Sequence, residues 1–427
     1  MSIYDKASLV QIPSGVKSGK LYSAKPSNGV GDFDFTRAST ATRVNKDGLI
    51  ETVATGTPRL DYPFIDGVVQ DNPSLLLEPS RTNLLTYSED FSNAYWNKSA
   101  STITSNIITS PDGTLNASLF ESTGAAGYIY PISGLLSSAG NGTFTYSIYA
   151  KEGNTSSFTI LISGVSNYTG NFNLTSVEAS TSTANTIVDI FNAGNGWYRC
   201  SVTASLVASS AYSELQIGRI SLGSNLYFYG AQLEEGSYPT SYIPTSGSTV
   251  TRVAEACNGA GDASMFNDSE GVLMAEISTN SDDTDKTISL NNNTFGSLNN
   301  RLWMGYSTSA KRVYALGYVN NSLQFVLSKL MTDETAFVKI ACKYALNDVA
   351  FFVNGEKVAT NTSALAFTEL NSFDFNLGTV NVLSGAFYGN VKDVKVFNTA
   401  LSDSELETIT SWTSFTEMAT GQLYKTY

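Results

Sequence analysis

From about residue 86 onward, apolar and polar residues alternate with a period of two. In "GTFTYSIYAKE" (142–152), Phe144, Tyr146, Ile148 and Ala150 fall on one side and Thr and Ser on the other, the pattern of a half-buried strand. "GWYRCSVTASL" (196–206) sets Trp197, Arg199, Ser201 and Thr203 against Tyr198, Cys200, Val202 and Ala204. "SELQIGRISL" and "NLYFYGAQLEE" continue the series, with Gly, Asn and Ser turns between the runs. No helical period competes, so residues 86–245 are predicted to form a β-sandwich of jelly-roll type.

The pattern changes on both flanks. "EEGSYPTSYIPTSGST" (234–249) is a linker, because Pro239 and Pro244 hold their neighbours extended. Its Tyr238, Tyr242 and Ile243 give it an apolar surface that must pack somewhere. Residues 246–427 resume the β pattern, with "EGVLMAEIS" (270–278) as a first strand. "DVAFFVNGEKVAT" (348–360) is a hairpin, since Asn354-Gly355 supplies the positive-φ pair of a tight turn. "GNVKDVKVFNTALSDSELETITSW" (389–412) reads as a strand and then a helix. There Ser402 and Glu405 form a capping box, and Leu406, Ile409 and Trp412 share one face.

Residues 1–85 are different. "TRVNKDGLIET" (42–52) is a hairpin about Asp47-Gly48, but Pro58, Pro63, Pro73 and Pro79 interrupt anything longer. "PSLLLEPSRTNLL" (73–85) is too apolar to lie in water and too short to form a core, so the segment reads as an arm docked on something larger. The predicted fold is all-β: a mostly irregular N-terminal arm (1–85), tandem antiparallel jelly rolls (86–245 and 246–427) and a short helix near the C-terminus. Two stretches, "STATRV" (39–44) and "STVTRV" (248–253), echo each other at the seams of this division. Each is expected to be a short strand with Thr and Val inward and Arg43 or Arg252 outward, the two lying near one another.

Composition narrows the function. The 427 residues carry a net charge of −13 with no block of Lys or Arg, which disfavours nucleic acid and anionic membrane surfaces. No apolar run approaches the roughly 18 residues of a membrane span, so a soluble chain without membrane insertion is expected. Histidine is absent, which removes every Ser-His-Asp, Cys-His and His-metal arrangement. Cys200, Cys257 and Cys342 are far apart and read as small buried hydrophobes. The N-terminus has neither the basic nor the apolar region of a Sec signal, so an outside-type chain of this kind is expected to leave the cell by lysis, as part of a virion.

The residues "FFVNGEKV" and "VKDVKVFNTALSDSEL" resemble laminin-G and concanavalin-like jelly rolls. "GWYRCSVT" and "LYFYGAQLEEGSYPTSYIPT" resemble the carbohydrate-binding-module-like jelly rolls of phage structural proteins. "FTRASTATRVNKDGLIE", "PSLLLEPSRTNLLTYSEDFSNAYW" and "TRVAEA…FNDSEGVLMAEIS" are similar to the same proteins, in one order along the chain. The resemblance implies a tailed-bacteriophage virion protein of the tail-fibre, receptor-binding or decoration type. It implies a non-enzymatic structural protein, attached through its N-terminal region to other virion proteins and binding host-surface glycans through its sandwiches. It also implies a homo-oligomer such as a trimer. Two other readings stay open: an architectural capsid decoration or head-fibre protein without ligand, and a polysaccharide depolymerase.

Sugar C–H faces stack on exposed aromatic rings, with polar side chains beside them for the hydroxyls. The candidates are Trp96, Tyr128, Tyr130, Trp197 and Tyr229 in the middle block, and Trp303 and Tyr306 in the third; each would otherwise fill the core. Tyr128 and Tyr130 ("GYIYP") share one strand face. Asp282, Asp283 and Asp285 in "NSDDTDK" offer several oxygens to a calcium ion, although the loop lacks the EF-hand glycine and distal Glu. No cofactor is otherwise expected. A depolymerase would need paired carboxylates, and the adjacent Glu234 and Glu235 point to opposite strand faces.

Overall fold

The structure is a computed structural model and describes residues 2–132, 135, 141–163, 166–206, 214–280, 284–293, 299–307, 311–376, 385–414 and 416–417. Period-two alternation turns into paired sheets throughout. In the middle block, one six-stranded sheet runs Trp96–Ser99, Gly127–Pro131, Glu214–Ile220, Ser157–Ser163, Asn167–Asn173, Glu178–Ser180. We call this the front sheet. The back sheet runs Ser101–Ile108, Ala117–Ser122, Asn225–Glu235, Gly142–Glu152, Trp197–Leu206, Thr186–Asn192. Phe144, Tyr146, Ile148, Cys200, Val202 and Ala204 of the back sheet meet Phe158, Ile160, Ile162 and Ile217 of the front one in a single core. That burial is the main driving force of the block.

The third block is a second antiparallel sandwich. Its smaller sheet has the order Ser322–Leu330, Arg312–Val319, Arg301–Ser307, Lys286–Asn291, Ser372–Asp374. Its larger sheet is built around Glu270–Thr279 and Gly389–Phe397 and draws in the arm. Leu9 pairs with Val396, Leu75 with Val391, and Leu60 with Leu75. Leu9, Leu21, Phe33, Phe35, Leu75 and Leu77 enter the same core as Leu273, Ile277, Val391 and Val394. The apolar run at 73–77 thus finds its burial in the chain's own third block.

The hairpin turns form as their sequences require. Ala41–Val44 pairs with Ile50–Val53 around a loop in which Gly48 has φ +76. Val353 pairs with Glu356 across Asn354 (φ +49) and Gly355 (φ +84). The helix Asp403–Thr410 carries the Ser402/Glu405 capping box and buries Leu406. Trp412 falls beyond its end, where Lys339 Nζ lies 4.2 Å from the ring centre.

The two echoed stretches do meet: the Val253 amide donates to Ser39 Oγ at 3.0 Å. Their polarity, however, departs from expectation. Arg252 is buried and Val253 is 38% exposed, because Arg252 turns inward to Glu78 at 3.0 Å. The strand Val250–Arg252 pairs with Arg81–Asn83, and it is an ion cluster rather than an apolar face that sets its orientation. Arg37 and Arg59 bind Glu255 in the same cluster, and Arg59 also binds Glu78 at 2.8 Å. These buried charges tie arm, linker and third block at one point.

Candidate functional site

The strand Gly127–Pro131 alternates cleanly. Ile129 is in the core, while Tyr128 and Tyr130 stand half-buried on the outer face of the front sheet, with ring centres 5.7 Å apart and planes tilted by 38°. Pairing extends this face sideways in register. Ser99 lies opposite Tyr128, Tyr128 opposite Gly218, Gly218 opposite Thr159, Thr159 opposite Asn171, and Asn171 opposite Ser180. One row therefore crosses all six strands. Thr159 Oγ1 donates to Asn171 Oδ1 at 3.2 Å, and Asn97 stands opposite Tyr130 in the next row.

A bulge places the charge. The register shifts between Gly127 and Tyr128, so that Arg219 (φ +54) is the extra residue of its strand. Bulges re-aim side chains in this way. Gly218 has φ +114, and a Cβ there would come within 2.7 Å of the Phe120 ring, so glycine is required. The exposed Arg219 lies with its guanidinium carbon 5.8 Å from the centre of the Tyr128 ring, and Nη1 donates to Gln216 Oε1 at 2.6 Å. Beside it a groove of about 640 Å³ runs over the same face, lined by Ser157, Thr159, Asn171, Asn173, Glu178 and Arg219 among others. The arrangement combines aromatic faces, an anchored cation and a row of hydroxyl and amide groups, as sugar recognition demands.

Four other aromatic candidates are corrected to structural positions. Trp96 packs beside Phe91 and Tyr95 in the core, with Nε1 donating to the Tyr87 carbonyl at 2.8 Å. Trp197 and Tyr229 do lie on the outer face of the back sheet, but the linker's Tyr242 and the arm's Ile50 cover them. Trp197 Nε1 donates to the Thr109 carbonyl, and Tyr229 Oη donates to Asp112 at 3.0 Å. Tyr306 is fully buried; it is three residues from Trp303, which on a strand means the opposite face. Trp303 is half-buried on the outer face of the smaller sheet of the third block, edge-on to Tyr318 at 5.4 Å. Of the acidic loop, Asp282 and Asp283 lie outside the described residues and Asp285 is exposed next to Lys286. Among the described residues, no group of three or more His, Cys, Asp or Glu side chains is placed to hold a metal ion.

Arg219, Gln216, Thr159 and Asn171 were not singled out from the sequence. Alternation turns Gln216, Thr159 and Asn171 away from the core but would set Arg219 on the side of Leu215 and Ile217; the bulge turns it out, and strand order brings all four beside Tyr128.

Residues 263–407, about a third of the chain, match the family described as the Concanavalin A-like lectin/glucanases superfamily. No curated protein matches the chain in sequence. Among solved structures, the Ruminococcus gnavus IT-sialidase CBM40 is similar at 21% identity and a TM-score of 0.30, over 36% of this chain and 94% of that one. The heptameric SAP-like pentraxin of Limulus polyphemus is similar at 14% identity and a TM-score of 0.29, over 37% and 76%. Domains LG4-5 of the mouse laminin alpha1 chain align at 9% identity and a TM-score of 0.25, over 81% and 96%. Among the described residues, no helix is long and apolar enough to cross a membrane.

Proposed function

We propose that the chain is a non-enzymatic glycan-binding protein that holds a saccharide on the outer face of its front sheet. The observation that carries this reading is the in-register row from Tyr128 through Thr159 to Asn171, with Arg219 anchored above it. Tyr128 and Tyr130 take the C–H faces of the sugar, while Arg219, Thr159 and Asn171 bind its hydroxyls and the buried Gln216 holds Arg219 in place. The match of the third block to a lectin-containing superfamily supports the same class of ligand. The finer proposal comes from the sequence resemblance: the chain serves on a tailed-phage particle, as a fibre or tail adhesion component that binds host-surface glycans. Many weak sites on repeated copies, such as trimers, then add to firm attachment.

The test is binding of purified protein to host-surface polysaccharide, with the Tyr128→Ala/Tyr130→Ala double variant as control. Both rings lie outside the core, so the variant keeps the wild-type melting curve and loses binding about tenfold or more, as removal of stacking rings predicts. Undiminished binding by the double variant would refute the site. New reducing ends in the polysaccharide would refute the non-enzymatic assignment, and labelling that misses the tail and fibres would refute the finer one.

A further inference from the structure

A second cavity has no part in that reading. Where the arm, the linker and both sandwiches meet, the chain leaves an open cleft of about 560 Å³, a size typical of small-molecule sites at domain junctions, which span roughly 300–1,000 Å³. Its floor is the outer face of the back sheet beside the edge strand Thr186–Asn192. Phe191 lies opposite Arg199, which lies opposite Tyr149; in the next row Asp189 lies opposite Ser201, and in the next Ile187 lies opposite Thr203. The wall is formed by linker residues 237–242 and by Asp61, Tyr62 and Phe64 of the arm.

Three features of this floor and wall leave bonding or packing capacity unused. Phe191 and Ile187 are 45% and 63% exposed, although Val188 and Ile190 of the same strand pack on the core. Arg199 donates to the Thr240 carbonyl at 2.6 Å and to Ser147 Oγ at 3.1 Å, and rests 5.4 Å from the centre of the Tyr149 ring. Among the described residues its hydrogen-bond partners are that carbonyl and that hydroxyl, with no carboxylate, and its buried Nε has no hydrogen-bond partner. Among the described residues, the Asp61 carboxylate accepts only the Val44 amide at 2.8 Å, and burial pushes its carboxyl up to about 6.

These groups specify a ligand class. Arg43 and Glu78 on its lining are held in ion pairs with Glu51 and with Arg59 and Arg252; what remains is the Arg199 guanidinium, two carboxylates (Asp61 and Asp189), hydroxyls and an aromatic face. An anionic ligand would meet Asp61 and Asp189, and a cationic one would meet Arg199. A hydroxyl both accepts from a guanidinium and donates to a carboxylate, and a pyranose ring carries several hydroxyls around a C–H face that stacks on phenyl. We propose that the cleft is a second binding site, independent of the front-sheet platform, for a short neutral oligosaccharide.

The test titrates the full chain with maltotriose, cellotriose and triacetylchitotriose, and with trigalacturonate as the anionic counterpart, by calorimetry or saturation-transfer NMR. At least one neutral trisaccharide binds; Phe191→Ala weakens it about tenfold, as loss of a stacking ring predicts, and Asp189→Ala also weakens it. Tyr128→Ala on the platform leaves this binding unchanged, which separates the cleft from the first site. Both cleft residues are exposed, so matching melting curves confirm that the variants fold. Preference for trigalacturonate, no neutral trisaccharide bound at millimolar concentration, or full binding by Phe191→Ala would each overturn the assignment.

Discussion

Replacing Glu255 with Gln attacks the junction at its centre. Oε1 of Glu255 accepts from Arg37 Nη1 at 2.7 Å and Arg59 Nε at 2.8 Å; Oε2 accepts from Arg59 Nη2 and from the Glu78 amide at 2.9 Å. The side chain is fully buried, as are those of Arg37 and Arg59. An amide keeps one acceptor oxygen but turns an NH₂ group towards donors and removes the charge. Breaking a buried pair by changing one partner costs about 3–5 kcal/mol, because the other charge stays behind unpaired. Against a whole-protein stability of about 5–15 kcal/mol, that is a large loss. Equilibrium urea unfolding measures it, with hydrogen exchange locating it. Exchange should accelerate in the arm strands Phe33–Thr36 and Arg59–Asp61, while Gly142–Glu152 in the middle core stays protected. A loss under about 1 kcal/mol, the level of an ordinary surface pair, would refute the argument. So would a loss spread evenly over all blocks.

Three further outcomes follow from the same geometry. Burial alone would raise the carboxyl of Glu78, but Arg252, Arg59 and the Ser241 donors hold it down at about 2 from an ordinary 4.5. The folded state therefore gains stability above pH 4.5 and loses about 3 kcal/mol of it as pH falls towards 2, and a Glu78→Gln variant should show a flatter acid-unfolding profile. Asp61 has the opposite sign: its raised pKa destabilises the fold as pH climbs from 3.8 through 6. Asp61→Asn keeps the acceptor for Val44 and should add about 1 kcal/mol at pH 7, discounted for solvent screening, and nothing at pH 3; a stabilisation equal at both pH values would contradict this. Gly355→Ala places a Cβ 2.4 Å from Ser411 Oγ at φ +84 and should cost at least about 1 kcal/mol in a thermal melt.

Local chemistry was legible where neighbours in sequence decide it. Asn354-Gly355 makes its turn, Ser402 caps its helix, and the alternation of 142–152 puts Phe144, Tyr146, Ile148 and Ala150 in the core. The site was half legible. Alternation correctly turns Tyr128 and Tyr130 outward, and it turns Trp197 outward by the same rule, yet Trp197 is buried. The difference lies in what covers each face. Among the described residues the front sheet leaves Tyr128 and Tyr130 half-exposed, whereas the back sheet is roofed by Tyr242 and Ile50, 45 residues after and 147 residues before Trp197.

By itself, then, the sequence determined an all-β chain, its hairpins and capped helix, and the absence of any histidine-dependent chemistry. Those follow from side-chain period and from turn and cap residues, which act over a few positions. Only the tertiary structure decided that the arm completes the sandwich of the third block, that Arg252 points inward to Glu78, and that Arg219, Thr159 and Asn171 line up beside Tyr128. Each of those depends on strand order and on which outer face another segment covers. Alternation gives a residue's face but not its neighbours, and the partners here stand up to 399 positions apart in the chain, as with Lys6 and Glu405.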